Sequence, residues 1–267
     1  CSFTMSNQIY YCHQKNPSFK GFIMPANLVN QLAVVTGASK GIGKVIAQQL
    51  CGQGMTVILL ARTQSELDLA IETMHDLSGN AVAISCDITA EDEVLSVFKQ
   101  IDQRFGRVDL LVNNAGMGFG DLVKDMSLAT WQAIIGVNLT GAFLCCREAF
   151  KRMDQGTGGR IINIGSIAAI APRPGASAYT ASKAALDGLT TSLALEGRDK
   201  NIAACIIHPG NTYTDIWAGK EELLKVEPVM DPTHVAKQVL NIALLPLDVN
   251  ILSTVMFPTT QKLVGRG

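Results

Sequence analysis

The segment Thr36-Gly37-Ala38-Ser39-Lys40-Gly41-Ile42-Gly43 decides the fold of this chain. It separates the short apolar stretch Leu32–Val35 from Ile42–Cys51, whose apolar residues recur with a helical period. Glycines between a first strand and a first helix let the backbone turn tightly and approach a pyrophosphate, and the helix N-terminus offers free N–H groups to the anion. The alternative is a merely flexible loop. The position between strand and helix favours a dinucleotide-binding turn.

Strand-like and helix-like stretches alternate along the rest of the chain. Strands are predicted at Leu32–Val35, Thr56–Ala61, Ala81–Cys86, Val108–Val112, Arg160–Ile164, Ile202–Ile207 and Leu252–Phe257. Helices are predicted at Ile42–Cys51, Gln64–Leu77, Asp92–Phe105, Leu128–Met153, Ser177–Glu196 and from about Pro232. Strands joined by helical crossovers lie parallel, with helices on both faces of the sheet. The sequence therefore predicts an α/β fold: a single-domain Rossmann fold with a seven-stranded, parallel, doubly wound sheet.

The beginning of the chain and one connection do not follow this alternation. Residues 1–23 show no sustained period and lack the apolar core of a secretory signal. We expect them to be a poorly ordered extension, either a translated upstream segment or a targeting leader, and residues 24–267 to form the folded domain. Residues 211–231 are long for a connection between a strand and a helix, and we expect a lid there.

Composition limits the classes of partner. The chain has 267 residues, of which 48% are hydrophobic and only 6% aromatic, so its core is expected to be aliphatic. The net charge of −1 and the lack of a basic stripe argue against nucleic acid. The longest apolar stretches, such as Val57–Ala61, are strand-length and shorter than the ~20 residues of a membrane-spanning helix, so no span is predicted. We therefore expect a small-molecule substrate and no membrane partner.

Cysteine usage indicates the redox compartment. The chain has 7 cysteines, an odd number, with no Cys-x-x-Cys pair and no His/Cys ligand spacing. Neither a disulfide framework nor a metal site is indicated. We expect a reducing compartment, the cytoplasm, with targeting to an organelle by residues 1–23 left open.

Tyr179, Lys183 and Ser166 carry the candidate chemistry. Tyr179 and Lys183 are four positions apart in a predicted helix, so the phenol and the ammonium project from one face. A cation beside a phenol lowers its pKa from ~10, and the phenol can then exchange a proton with a substrate oxygen nearer neutral pH. The Tyr-x-x-x-Lys pattern by itself also arises by coincidence. Other motifs are therefore needed to identify Tyr179 and Lys183 as catalytic residues.

The end of the second predicted strand bears on the cofactor. An NAD-binding site usually places Asp or Glu there to accept hydrogen bonds from the adenosine ribose, but this chain has Ala61 and Arg62. No carboxylate at this position repels a 2′-phosphate, and Arg62 is expected to clamp it together with Lys40. The alternative for Arg62 is a solvated surface charge. The prediction is NADP(H) rather than NAD(H).

Several further motifs follow the glycine segment along the chain. They are Cys86-Asp87-Ile88, Asn113-Asn114-Ala115-Gly116, the set Asn138, Ser166, Tyr179 and Lys183, and Pro209-Gly210 followed by Thr214. With these motifs the chain resembles, from about Leu28 to Phe257, the short-chain dehydrogenase/reductase family. The resemblance implies an enzyme. Its expected activity is NADPH-dependent, reversible reduction of a carbonyl in an aldehyde, ketone or 3-oxo acid to an alcohol.

The resemblance also implies a role for each site residue. Ser166 would orient the substrate carbonyl and Tyr179 would donate the proton. Lys183 would hold the nicotinamide ribose and lower the pKa of Tyr179, and Asn138 would keep a water behind Lys183 as a proton relay. The predicted cofactor-binding residues are Gly37, Ser39, Lys40, Gly41, Ile42, Gly43, Arg62, Asp87, Ile88, Asn114, Ala115, Gly116, Tyr179, Lys183, Pro209, Gly210, Thr212 and Thr214.

The substrate stays open between subgroups of that family. The C-terminal stretch Leu245–Gln261 is similar to the serine and 3-hydroxy acid dehydrogenase subgroup and lacks the Val-Asp-Gly-Gly ending of many acyl-carrier-protein reductases. Reduction of a 3-oxoacyl thioester is the alternative, and a non-catalytic NADP(H) sensor is the alternative of another class. Arg173 is expected to face either a substrate carboxylate or solvent. The resemblance implies a homodimer or homotetramer, with Leu128–Met153 and Ser177–Glu196 at the interfaces.

Overall fold

A computed structural model of the chain describes residues 28–118, 120–156, 158–214 and 227–262. One sheet contains the strands β1 (Leu32–Thr36), β2 (Thr56–Ala61), β3 (Asn80–Ser85), β4 (Leu110–Asn113), β5 (Gly159–Ile164), β6 (Ile202–Pro209) and β7 (Ser253–Met256). All neighbouring strands are parallel, in the order β3-β2-β1-β4-β5-β6-β7. The predicted seven-stranded parallel sheet is confirmed. The predicted extension at residues 1–23 and most of the predicted lid, residues 215–226, lie outside the described residues.

Helices cover both faces of the sheet. They are α1 (Gly41–Gly52), α2 (Gln64–Glu72), α3 (Glu91–Arg104), α4 (Leu128–Ile135), α5 (Ala142–Asp154), α6 (Ser177–Glu196) and α7 (Pro232–Ala243). Helices α1, α2 and α7 share one apolar cluster with the sheet, and α3, α5 and α6 share the cluster on the opposite face. The sheet is therefore doubly wound, as the sequence predicts.

The strands are apolar throughout because both faces of the sheet are covered. In β2, Leu59 packs into the cluster of α1 and α7, whereas the neighbouring Ile58 packs into the cluster of α3 and α5. Both side chains are fully buried. Burial of one such aliphatic side chain contributes roughly 1.5–3 kcal/mol, so consecutive buried residues stabilise the sheet from both sides.

Two helices differ from their predicted bounds by more than one residue. The predicted helix Gln64–Leu77 ends at Glu72, where the Thr73 hydroxyl donates to the Ala70 carbonyl at 2.7 Å and the chain turns back towards β3. The predicted helix Leu128–Met153 is divided by a π-helical turn at Gly136–Gly141. The chain packs closely there, since a Cβ at Gly141 would lie 2.7 Å from Ile88 side-chain carbons.

One helical stretch within the described ranges, Leu128–Asp154, is long and apolar enough to cross a membrane by length and composition alone. No span was predicted from the sequence, although residues 128–146 carry no charged side chain. Cys145, Cys146 and Met153 of this stretch are buried in the core beside the sheet. Core helices of water-soluble folds meet the same criterion, so the stretch by itself says little about a membrane.

Candidate active site

A cleft of about 620 Å³ opens at the carboxyl ends of the strands. It spans the boundary between β1 and β4, where the strand order changes direction, which is where open α/β sheets bind ligands. Every predicted cofactor-binding residue lines this cleft except Gly43, and Ser166 lines it as well. Asn138 does not line it. The topology thus brings together residues that are up to 177 positions apart in the sequence, Gly37 and Thr214.

The glycine segment forms a cradle at one end of the cleft. Gly37 has a φ of +63°, and a Cβ there would lie 2.8 Å from the Ala115 Cα. The Asn114 amide nitrogen donates to the carbonyls of Thr36 and Gly37 at 3.1 Å each, which ties the turn after β1 to the turn after β4. A backbone-lined cradle before a helix N-terminus fits the pyrophosphate of a dinucleotide.

Gly43, one of the predicted cofactor-binding residues, does not line the cleft, and its contact with the cofactor stays a prediction. A Cβ on Gly43 would lie 2.3 Å from the Gly37 carbonyl oxygen and 2.4 Å from the Asn114 amide nitrogen. Gly43 therefore lies beneath the cradle, where it lets α1 pack against the turn. Its contribution is to the shape of the cradle and not to its lining.

A carboxylate at the adenosine end was not anticipated from the sequence. Arg62 and Lys40 line this end of the cleft as predicted, but Glu66 in the first turn of α2 lines it too. Glu66 accepts a hydrogen bond from the Ser39 hydroxyl at 3.1 Å and forms an ion pair with Lys40 at 3.6 Å. The prediction that no carboxylate repels a 2′-phosphate rested on the end of β2 alone, whereas the carboxylate of Glu66 comes from the next helix.

Asp87, one of the predicted cofactor-binding residues, forms the turn after β3. Its carboxylate accepts hydrogen bonds from the Thr89 backbone N–H at 2.9 Å and from the Thr89 hydroxyl at 2.7 Å. These hydrogen bonds, led by that from the backbone, hold the pKa of Asp87 below its usual value, and the nearby Arg62 charge acts in the same direction. Asp87 is thus ionised near neutral pH and fixed at the edge of the cleft.

Ser166, Tyr179 and Lys183 meet at the other end of the cleft. Ser166 follows β5, and α6 presents Tyr179 and Lys183 on one face, as their spacing predicts. The hydroxyls of Ser166 and Tyr179 are hydrogen-bonded to each other. The Lys183 ammonium donates to the Ile164 carbonyl at 2.7 Å and lies 5.9 Å from the centre of the Tyr179 ring. An acid, an orienting hydroxyl and a cation therefore lie within one short stretch of the cleft.

The expected lowering of the Tyr179 pKa is not found. Burial raises the pKa of Tyr179, and the hydrogen bond from Ser166 offsets only part of that effect. Burial also lowers the pKa of Lys183 to about 8. The physical reason is that the ammonium is directed at the Ile164 carbonyl rather than at the phenol, so desolvation outweighs the attraction between the two groups.

Asn138 lies behind the cleft in the π-helical turn. Its amide nitrogen donates to the Met117 carbonyl and to the Ser182 hydroxyl, each at 3.0 Å, and its amide oxygen accepts from the Met117 N–H at 2.7 Å. The side chain thus joins the turn after β4 to α6. A water relay beside Lys183 stays a prediction for Asn138.

Arg173 matches neither of the two environments expected for it. Its guanidinium forms an ion pair with Glu227 at 3.0 Å and donates to the Asn211 side-chain oxygen at 3.3 Å. The Asn211 amide nitrogen also donates to Glu227, at 2.8 Å. The three side chains connect the loop after β5 with the chain after β6 at the substrate side of the cleft.

The similarity of the chain to known proteins agrees with this geometry. The family model described as short chain dehydrogenase matches residues 31–224, which include every predicted site residue. The chain is 38% identical over 204 residues to a 3-oxoacyl-[acyl-carrier-protein] reductase of Synechocystis sp., covering 76% of this chain and 81% of that protein. It is 35% identical to carbonyl reductase family member 4 of Danio rerio, covering 79% of this chain and 90% of that protein.

A solved structure shares the fold over almost the whole domain. It is a metagenomic short-chain oxidoreductase in complex with NADP, with 34% sequence identity and a TM-score of 0.78. The superposition covers 88% of this chain and 100% of that chain. The arrangement of strands and cleft described above is therefore that of a known group of enzymes.

Proposed function

The chain belongs to the short-chain dehydrogenase family, and on that premise we propose that it is an NADP(H)-dependent oxidoreductase that reversibly reduces a carbonyl to an alcohol. The observation that carries the proposal is the meeting of Ser166, Tyr179 and Lys183 in a cleft whose other end is a cradle for a dinucleotide. When bound, the nicotinamide supplies a hydride to the carbonyl carbon. The protein must then supply the proton and the orientation.

Tyr179 is the proposed proton donor. Its raised pKa keeps the phenol protonated at neutral pH, so it can donate to the oxygen on which negative charge develops. Ser166, already hydrogen-bonded to Tyr179, is the proposed second donor to the same oxygen and fixes the orientation of the carbonyl. A partly buried site strengthens both hydrogen bonds, because little water competes for them.

Lys183 and Asn138 support this proton transfer in the proposal. Lys183 lines the cleft and can hydrogen-bond the nicotinamide ribose, and its positive charge then favours the phenolate that remains after Tyr179 gives up its proton. With a pKa of about 8, its ammonium form predominates at pH 7. Asn138 fixes the turn at Met117. We propose that a water held there, beside Lys183, returns the proton to Tyr179.

NADP(H) is the proposed cofactor. The similar metagenomic enzyme was solved with NADP, and Arg62 and Lys40 line the adenosine end of the cleft. Glu66 opposes them in charge, since it already pairs with Lys40 at 3.6 Å. We therefore propose that a 2′-phosphate must draw Lys40 away from Glu66, so that the preference for NADP(H) depends most on Arg62.

An uncharged carbonyl compound is the proposed substrate. Among the described residues, Arg173 lines the substrate side of the cleft, and its guanidinium already forms an ion pair with Glu227 and is not free for a substrate carboxylate. Aldehydes, ketones and 3-oxo esters fit this arrangement better than 3-oxo acids do. Reduction of a 3-oxoacyl thioester is the second candidate, because one similar protein is a 3-oxoacyl-[acyl-carrier-protein] reductase and a thioester is uncharged at the reacting end.

A substrate panel tests the proposal. Consumption of NADPH and of NADH is measured with aldehydes, ketones, 3-oxo acids, their esters and a 3-oxoacyl thioester. The proposal expects turnover with at least one uncharged carbonyl and a higher kcat/KM with NADPH. Tight NADPH binding without turnover of any carbonyl would instead favour the sensor.

We also propose a homodimer or homotetramer in a reducing compartment, the cytoplasm. Large apolar side chains are exposed on α4, α5 and α6, where the interfaces were expected: Leu128, Trp131, Phe143 and Leu195. The five cysteines within the described part of the chain are free thiols, which fits a reducing environment. Sedimentation at micromolar concentration tests the assembly, and a monomer alone would contradict it.

A further inference from the structure

His208 is a buried polar side chain that the proposed reaction does not use. It belongs to β6, its exposed fraction is 2%, and it does not line the cleft. A buried imidazole needs partners for both ring nitrogens, because an unsatisfied polar atom costs about 1–3 kcal/mol in the interior. The role of His208 can therefore be inferred from the partners of its two ring nitrogens.

One ring nitrogen of His208 contacts the backbone of Ser166. The Nδ1 atom lies 3.3 Å from the Ser166 nitrogen and 3.0 Å from the Ser166 carbonyl oxygen. A neutral ring with its proton on Nε2 accepts from the Ser166 N–H, whereas a protonated ring donates to the Ser166 carbonyl. In both states the partner of Nδ1 is a backbone group of Ser166, the residue whose hydroxyl orients the substrate carbonyl in the proposal.

The other ring nitrogen is held by the helix that carries Tyr179 and Lys183. His208 Nε2 lies 2.9 Å from Asp187 Oδ1. Asp187 is four residues after Lys183 and eight after Tyr179, so it lies on the same face of α6. A carboxylate accepts hydrogen bonds only, so it places the Nε2 proton between the two side chains.

The ring is also confined sterically. A Cβ on Gly165 would lie 2.6 Å from His208 Nδ1, so the peptide before Ser166 packs directly on the imidazole. The Lys183 ammonium meanwhile holds the Ile164 carbonyl at 2.7 Å. The end of β5 is thus fixed from α6 at two places, directly through Lys183 and indirectly through Asp187 and His208.

We propose that His208, held by Asp187, is a positioning residue that sets the placement of the Ser166 hydroxyl relative to Tyr179. This inference rests on the proposed function, in which Ser166 and Tyr179 bind the same substrate oxygen. The contact of Nδ1 with the Ser166 backbone sets this placement, and the contact of Nε2 with Asp187 only restrains the ring. A small displacement of a positioned donor lowers catalysis more than binding.

Two substitutions of His208 separate its two contacts. His208→Asn keeps a polar atom near the Nδ1 position and loses the contact with Asp187, whereas His208→Gln keeps one near the Nε2 position and loses the contact with Ser166. We expect kcat to fall about tenfold in His208→Gln and about threefold or less in His208→Asn, with KM changed little in both. Thermal unfolding of both variants checks that they fold. Equal losses in the two variants would contradict the proposal.

A double-mutant cycle with Ser166→Ala tests whether His208 acts through Ser166. If it does, His208→Gln lowers kcat in the wild-type background and has little further effect once the Ser166 hydroxyl is absent. A general structural role predicts the same loss in both backgrounds. That result would overturn the proposal.

A titration that needs no turnover separates this proposal from the proposed function. The protein is labelled with ¹³C at tyrosine Cζ, and the Tyr179 resonance is assigned by its absence in Tyr179→Phe. Because the Ser166 hydrogen bond lowers the pKa of Tyr179, displacement of Ser166 in His208→Gln should raise that pKa, and His208→Asn should not. An unchanged titration in His208→Gln would reject the positioning role. A raised pKa in a protein that reduces no carbonyl would reject only the proposed function.

Discussion

The Lys183 ammonium lies 5.9 Å from the centre of the Tyr179 ring and donates its hydrogen bond to the Ile164 carbonyl instead of to the phenol. Burial therefore acts on the two groups in opposite directions, raising the pKa of Tyr179 and lowering that of Lys183 to about 8. Both shifts favour the uncharged forms. The phenol thus keeps the proton that the proposed reaction requires it to donate.

The first prediction concerns the pH dependence of stability. The pKa of Lys183 is about 8 in the folded protein and 10.5 in the unfolded chain. Between these pH values the unfolded chain binds a proton that the folded protein does not, so the free energy of unfolding rises with pH. Relative to Lys183→Met, the wild type should gain roughly 3 kcal/mol between pH 7 and pH 11, measured by urea unfolding. Lys99→Met, at an exposed position of α3, controls for the loss of a lysine charge. If the difference in the free energy of unfolding between wild type and Lys183→Met does not change with pH, the prediction is contradicted.

The second prediction concerns cofactor preference. Arg62→Ala should lower the ratio of kcat/KM for NADPH to that for NADH by about tenfold or more, because it removes a guanidinium that lines the adenosine end of the cleft and can bind the 2′-phosphate. Glu66→Gln should raise this ratio a few-fold, because Lys40 and Ser39 then lose a competing anion. Glu72→Gln, at the end of the same helix, is the matched control. If Glu66→Gln lowers the ratio, Glu66 supports the phosphate site rather than opposing it.

The third prediction concerns the packing beneath the cradle. Gly43→Ala places a methyl group 2.3 Å from the Gly37 carbonyl oxygen, so it should reduce the free energy of unfolding by about 1–3 kcal/mol and weaken NADPH binding. Gly52→Ala, in the same helix, has nothing within 4 Å of its added Cβ. The free energy of unfolding of Gly52→Ala should stay within about 1 kcal/mol of the wild-type value. Denaturant unfolding and NADPH fluorescence titration measure the two effects, and equal behaviour of the two variants would show that the cradle tolerates displacement of α1.

The fourth prediction concerns substrate charge. Glu227→Gln releases the Arg173 guanidinium from its ion pair and leaves a cation at the substrate side of the cleft. The efficiency with a 3-oxo acid, relative to the matching 3-oxo ester, should then rise by about fivefold or more. Steady-state kinetics with the acid and its methyl ester measure this ratio. An unchanged ratio would mean that Arg173 does not reach the substrate.

Local sequence patterns predicted the fold well where both the period and the flanking turns were clear. β2 and α6 have the bounds that were expected from their apolar runs. The end of α2 and the π-helical turn at Gly136–Gly141 were not predicted, because each depends on a contact with a distant part of the chain. Gly141 approaches Ile88, and Gly79, after α2, bonds the Cys51 carbonyl at 2.8 Å.

The site residues could be named from motifs, but their partners could not. The spacing of Tyr179 and Lys183 predicts that they share a helical face, and they do. The spacing does not indicate that the Lys183 ammonium donates its hydrogen bond to the Ile164 carbonyl. Since that hydrogen bond directs the cation away from the phenol, the rise in the Tyr179 pKa could not be predicted from the sequence. Three partners belong to none of the motifs, and only the folded chain brings them to the site. Glu66 lies beside Lys40, Glu227 beside Arg173, and His208 beside Ser166.

The most direct test of the central claim is the rate of carbonyl reduction by Tyr179→Phe with saturating NADPH and the best substrate of the panel. This substitution removes one hydroxyl and keeps the ring, so NADPH affinity and thermal stability serve as controls. If Tyr179 donates the proton, kcat should fall by roughly 10²-fold or more. A variant that folds, binds NADPH and reduces the carbonyl at a rate near that of the wild type would contradict the account.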